Sequence, residues 1–215
     1  VKILHIGASG LVGGFVLSQL LADARVAQVV APTRRALPTR HPRLDNPVLD
    51  FERLPPADAS LWRVDAVICT LGTTMKQAGS RARFRRVDHD YPLQIARSAL
   101  HGGAYAFALN SALGADPGAR LFYSRVKGEL EQDLRQLPYP SLTFVRPGLI
   151  GGQRGRARLG ERVAAIVLGA ASPVLPRRWR INPAEQVAAA LVDAAVQALP
   201  GRHVVDAARL HRPPA

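Results

Sequence analysis

Seven residues near the amino end, Gly7-Ala8-Ser9-Gly10-Leu11-Val12-Gly13, constrain what this chain can fold into more than any other feature. They follow a strand-like run, Lys2 to Ile6, and lead into Leu11 to Leu21, where Val12, Phe15, Val16 and Leu20 recur at helical spacing. Glycine has no Cβ, so such a turn can bend sharply and let a phosphate approach the N–H groups at the helix start. Gly13 would let helix and strand pack closely. The GxxGxxG string in this position predicts a dinucleotide site contacted by Gly7, Ser9, Gly10, Leu11, Val12 and Gly13. The plainer alternative is a tight turn with packing glycines.

Beyond it, apolar runs of strand length alternate with amphipathic stretches, the pattern of a doubly wound parallel α/β sheet. Strands are expected at Val26 to Ala31, Val48 to Phe51, Val64 to Leu71, Ala104 to Leu109 and Leu142 to Val145, with a surface loop from Pro32 to Pro47. Helices are expected at Arg85 to Leu100 and Arg120 to Leu137. From Gly151 the composition shifts to glycine and arginine. Helical runs follow at Gly160 to Ala170 and Pro183 to Leu199, then a last strand at His203 to Asp206. Residues 1–215 thus read as one domain, with 151–199 as a small helical cap and the tail from His211 frayed.

Composition narrows the function classes. The chain is 47% hydrophobic and 21% charged, which excludes disorder and a coiled coil. Its longest apolar run, Val163 to Leu175, is too short to span a membrane and contains Pro173. No signal peptide is apparent, so the cytoplasm is the expected location. Cys69, the one cysteine, cannot form an internal disulfide and reads as a core residue, and His5 and His89 have no ligand-spaced partner, so no metal site is expected. The net charge of +13 comes mostly from arginine, 26 of 29 basic residues. Without a recognition helix or stacking platform this does not indicate specific nucleic-acid binding.

Several residues carry chemistry. Where an NAD-binding chain would place a ribose-binding carboxylate after its second strand, this one has Ala31-Pro32-Thr33-Arg34-Arg35. Arg34 and Arg35 suit a 2′-phosphate, favouring NADP(H) over NAD(H). Asp50 and Phe51 are candidates for the adenine edge. Leu71, Gly72 and Thr73, after the fourth strand, are candidates to pass beneath the cofactor. Tyr123 and Lys127 form a YxxxK on a predicted helix, one turn apart on one face. Four tyrosines in 215 residues make the spacing rare by chance, about 0.06 occurrences. An ammonium beside a phenol favours the phenolate, the form that exchanges a proton with a substrate oxygen. Ser111, just past the fifth strand, is placed to polarise a carbonyl.

Together these motifs resemble the short-chain dehydrogenase/reductase superfamily. Cys69 to Ser80, Val87 to Tyr91, Asn110 to Asp116, Tyr123 to Glu131 and Phe144 to Glu161 resemble its atypical branch of Tat-interacting-protein-like NAD(P)-binding oxidoreductases, over nearly the whole chain. The resemblance implies a Rossmann-type fold, bound NADPH, and Ser111, Tyr123 and Lys127 as the catalytic set. Pro147, Gly148 and Leu149 after the sixth strand complete the cofactor candidates. It supplies no substrate. Many relatives complete a proton relay with an asparagine before the fifth strand, whereas this chain has Asp88 in VDHDYP. An ionised carboxylate cannot donate as an amide does. Thr74, Asp88, Arg154 and Arg158 are the substrate candidates, and the arginines from Arg154 to Arg162 suit an anionic small molecule.

Two classes of function follow. The first is an NADP(H)-dependent oxidoreductase moving hydride to or from a small carbonyl or alcohol. The second is an NADPH-sensing regulator without turnover, binding a protein partner or a second copy of itself. An epimerase or dehydratase that uses the cofactor transiently is a further alternative.

Overall fold

Strands that are apolar along their whole length must be covered on both sides, and the chain provides a helical layer for each. The computed structural model describes residues 1–151 and 181–211. β1 (Lys2–Ile6), β4 (Ala66–Cys69), β5 (Ala106–Asn110) and β6 (Ser141–Arg146) are buried over nearly their full lengths. They are flanked by β2 (Gln28–Val30), β3 (Leu44–Asp45) and β9 (Gly201–Asp206) in the order β3-β2-β1-β4-β5-β6-β9. Every pairing in this seven-stranded sheet is parallel. A short parallel pair, β7 (Ile150–Gly151) with β8 (Asn182–Pro183), stands apart from it.

Side chains alternate between two cores. Ile3 of β1 and Ile68 of β4 face α1 (Leu11–Ala22) and α6 (Ala184–Gln197), where Val16, Leu20, Val187 and Leu191 are buried. Leu4, Ile6 and Val67 face α4 (Tyr91–His101) and α5 (Phe122–Arg135), where Ile95, Leu130 and Leu134 are buried. Cys69 lies in the second core, and burial pushes its thiol up to about 11. That makes it a packing residue at neutral pH. The strand order reverses between β1 and β4, which opens a crevice at their carboxyl ends.

Three expectations need correction. The strand expected at Val48 to Phe51 is absent: Leu44 and Asp45 pair with β2 instead, and Val48 makes only an isolated bridge to Thr33. Arg43 fixes this register by donating to the carbonyl oxygens of Leu21, Asp23 and Val26. The helix expected from Arg85 begins earlier, as α3 (Arg81–Arg85), and passes through a π turn (Arg86–Asp90) before α4. A further short helix, α2 (Met75–Ala78), precedes it. The helix expected within the cap, Pro183 to Leu199, is α6, which flanks the sheet beside α1. The remainder of the expected cap, with Arg154 and Arg158, lies outside the described residues.

At the first turn, Gly7 has φ +97°, and Gly10 N–H donates to the Gly7 carbonyl at 2.9 Å. A Cβ on Gly13 would stand 2.0 Å from that same oxygen. Gly13→Ala is therefore expected to destabilise the fold by about 3 kcal/mol, the upper end for overpacking. Urea unfolding would show a lower midpoint with an unchanged slope.

Candidate cofactor and active site

The crevice is a cleft of about 620 Å³. Gly7, Ser9 and Gly10 form one wall, and Leu71, Gly72 and Thr73 lie along the floor beyond β4. Gly10 makes no side-chain cap at the start of α1, whose first turn carries no acidic residue. Its N–H groups are left to meet an anion, an arrangement that suits a phosphate. Leu11 and Val12 turn their side chains toward the core and do not line the cleft.

Arg34 reaches the cleft, and Arg35 lies beside it on the exposed turn. That turn is held from below. Thr33 donates its hydroxyl to the Arg35 carbonyl oxygen at 2.7 Å, and Asn46 donates to Thr33 Oγ1 at 2.8 Å while its own Oδ1 accepts from Leu37 N–H. Phe51 lines the cleft, its ring 6.1 Å from that of Tyr91. Asp50 instead points to solvent and caps Glu52 N–H at 3.0 Å. Burial, reinforced by the Glu52 carboxylate, pushes the Tyr91 phenol up to about 12.

Around the YxxxK pair, Lys127 is 4% exposed and Asp88 1%, and Lys127 Nζ stands 2.8 Å from Asp88 Oδ1. The π turn carries Asp88 inward, where its Oδ2 also accepts Thr73 N–H at 2.8 Å. Burial alone would lower the Lys127 ammonium. The Asp88 carboxylate, helped by Tyr123, outweighs it and holds the group above the ordinary lysine range. Asp88 is thus the counter-ion of Lys127, and its burial rules out the substrate contact expected of it. Tyr123 lies one turn earlier, 41% exposed, with its ring 5.8 Å from that of Phe84. Thr74 is exposed and caps α2 through Gln77 N–H.

Ser111 departs from expectation. It is 4% exposed, and its hydroxyl donates to Glu131 Oε1 at 2.6 Å. Glu131 is fully buried between Arg146 and Arg135, with Arg146 Nε 2.9 Å from Oε1 and Arg135 Nη2 3.1 Å from Oε2. The hydrogen bond to Glu131 raises Arg146 above the ordinary arginine range despite partial burial. A buried carboxylate draws in every donor within reach, and the serine proton faces it rather than the cleft.

Pro147, Gly148 and Leu149 form a loop beyond β6. Pro147 accepts Leu113 N–H, and Gly148 N–H donates to Asn182 Oδ1 at 2.8 Å. Asn182 Nδ2 in turn donates to the Ala207 carbonyl at 2.9 Å. Sequence reading missed Asn46, Glu131 and Asn182. The only local signal was the i, i+4 spacing of Glu131 with Lys127 and Arg135 on α5.

No protein-family model matches the chain. Protein fmp52 of Emericella nidulans, named as mitochondrial, is 33% identical over 178 residues, covering 79% of this chain and 75% of that protein. Protein HTATIP2 of Rattus norvegicus is 35% identical over 181 residues, covering 83% and 73%. Among solved structures, MoeE5 in complex with UDP-glucose and NAD superposes with a TM-score of 0.71 at 17% identity, over 95% of this chain and 75% of that one. A Burkholderia thailandensis oxidoreductase of the short-chain dehydrogenase/reductase family gives 0.68 at 20% identity, over 98% and 93%. These two superpositions speak to the fold alone. Among the described residues, no helix is long and apolar enough to cross a membrane.

Proposed function

The chain belongs to the family of the HTATIP2 and fmp52 proteins, an atypical NAD(P)-binding branch of the short-chain dehydrogenase/reductases, and on that premise we propose that it is an NADP(H)-dependent oxidoreductase acting on a small carbonyl or alcohol. The observation that carries this reading is the cleft itself. Gly7, Ser9 and Gly10 of the glycine turn wall it, and Arg34 enters it with no carboxylate bound to it among the described residues. A dinucleotide with a 2′-phosphate fits these residues.

When bound, the nicotinamide supplies or accepts hydride. Tyr123 Oη gives the proton to the substrate oxygen, or takes it, from its exposed position on α5. Lys127, one turn along α5, stabilises negative charge on that phenolic oxygen. Asp88 keeps Lys127 charged and holds it toward Gly72. Gly148 and Leu149, tied through Asn182, form a fixed ledge for the nicotinamide end.

The test is a fluorescence titration of the purified chain with NADPH and NADH. Arg34→Ala is expected to weaken NADPH by at least about tenfold and to leave NADH unchanged, since only NADPH carries the extra phosphate. Binding of neither nucleotide to the unaltered chain would overturn the reading.

The bond between Ser111 and Glu131 favours a second reading, a cofactor-sensing protein without turnover. With its proton committed to a carboxylate, Ser111 offers no donor to a substrate carbonyl. Bound NADPH that is never oxidised across a panel of carbonyl compounds would select this reading.

A further inference from the structure

The stretch from Arg81 to Arg86 carries four arginines, and three of them are engaged. Arg81 lies over the Phe122 ring at 5.2 Å, Arg85 pairs with Glu129, and Arg86 pairs with Glu52 at 2.9 Å. Arg83 is different. Its backbone N–H is fixed by the Ser80 hydroxyl at 3.2 Å, but among the described residues its guanidinium has no carboxylate or ring beside it. It lines the same cleft as Gly7, Ser9 and Gly10.

The glycine turn brings no charge of its own to that cleft, because the first turn of α1 reads Leu11-Val12-Gly13-Gly14. A diphosphate lying along it carries two negative charges and would meet only neutral N–H groups there. Arg34 stands on the β2 side of the cleft and Arg83 on the α3 side, so the cavity holds, on different elements, two guanidinium groups that no described carboxylate pairs. Arginine binds phosphate oxygens through paired N–H groups, and a charged hydrogen bond is about twice as strong as a neutral one.

We infer that Arg83 grips the diphosphate of the bound dinucleotide, a role that rests on the cofactor reading above. Arg34 reads the 2′-phosphate, and Arg83 reads the diphosphate common to NADP(H) and NAD(H). The two arginines divide the ligand between them. Arg34 sets the preference for one cofactor over the other, and Arg83 sets the affinity for both.

Two probes separate these roles. ADP-ribose carries the diphosphate without the 2′-phosphate, and adenosine 2′-monophosphate carries the reverse. Titration calorimetry of the full chain is expected to show Arg83→Ala weakening ADP-ribose about tenfold and leaving adenosine 2′-monophosphate within about twofold. Arg34→Ala should do the opposite. An unchanged melting temperature in Arg83→Ala, expected because no described residue pairs with the side chain, confirms an intact fold. Should the unaltered chain bind ADP-ribose and Arg83→Ala bind it equally well, the grip on the diphosphate is disproved while the cofactor reading stands. Equal weakening of both probes would reduce Arg83 to a general field and overturn the inference too. An unaltered chain that binds neither probe removes the cofactor reading, and this inference with it.

Discussion

Tyr123→Phe is expected to lower turnover by about 10²–10⁴-fold, the range lost when a positioned acid or base is removed. NADPH affinity should stay within about twofold. The substitution deletes one oxygen and leaves the ring that packs against Phe84. Tyr123 is 41% exposed and its hydroxyl has no hydrogen-bond partner among the described residues, so no described donor or acceptor is orphaned by the change. The measurement pairs NADPH oxidation across a carbonyl panel with a fluorescence titration of the variant. Turnover retained in the variant, or binding lost together with it, would remove Tyr123 from the role of proton carrier.

A second large effect is expected at the ion pair beside it. Asp88→Asn keeps the shape of the side chain and an acceptor for Thr73 N–H, but leaves the Lys127 ammonium without its counter-charge in a site where it is 4% exposed. Breaking a buried pair from one side costs about 3–5 kcal/mol, or roughly 10 °C in melting temperature for a chain of this size. A double variant, Asp88→Leu with Lys127→Met, should recover most of that loss, because two apolar groups of similar volume need no partner. The pH dependence has a definite sign. Lys127 is held above its unfolded value of 10.5, so its stabilising contribution is complete below that pH and is lost only as pH rises through the higher folded value. An alkaline step in thermal stability should appear in the unaltered chain and be absent from the double variant.

The frame of the fold was legible because its signals are local. A buried first strand, a glycine turn and an amphipathic helix occupy consecutive residues, and each central strand is an unbroken apolar run. The third strand was not. Two residues at a sheet edge carry no periodicity, and their register is set by Arg43 reaching back to Leu21 and Val26. Within the site, Tyr123 and Lys127 could be read from spacing on one helix. Ser111 could be found but not its orientation, because Glu131 and Arg146 come from elements 20 and 35 residues further along. Asn182 joins Gly148 to Ala207 across separations of 34 and 25 residues. Such contacts are decided by packing after the sheet has formed.

The π turn between Arg86 and Asp90 amounts to one more residue than an α-helix would need over the same rise. A single deletion there would restore regular winding and leave the helices on either side in phase, because the wide turn already absorbs the extra residue. What changes is the aim of the side chains within the turn: Asp88 would leave Lys127, while the apolar pattern of α4 read along the sequence would look untouched. Homologous chains with shifted spacing at this point therefore warrant separate treatment: they can share the sheet and still lack the buried carboxylate that pairs with Lys127.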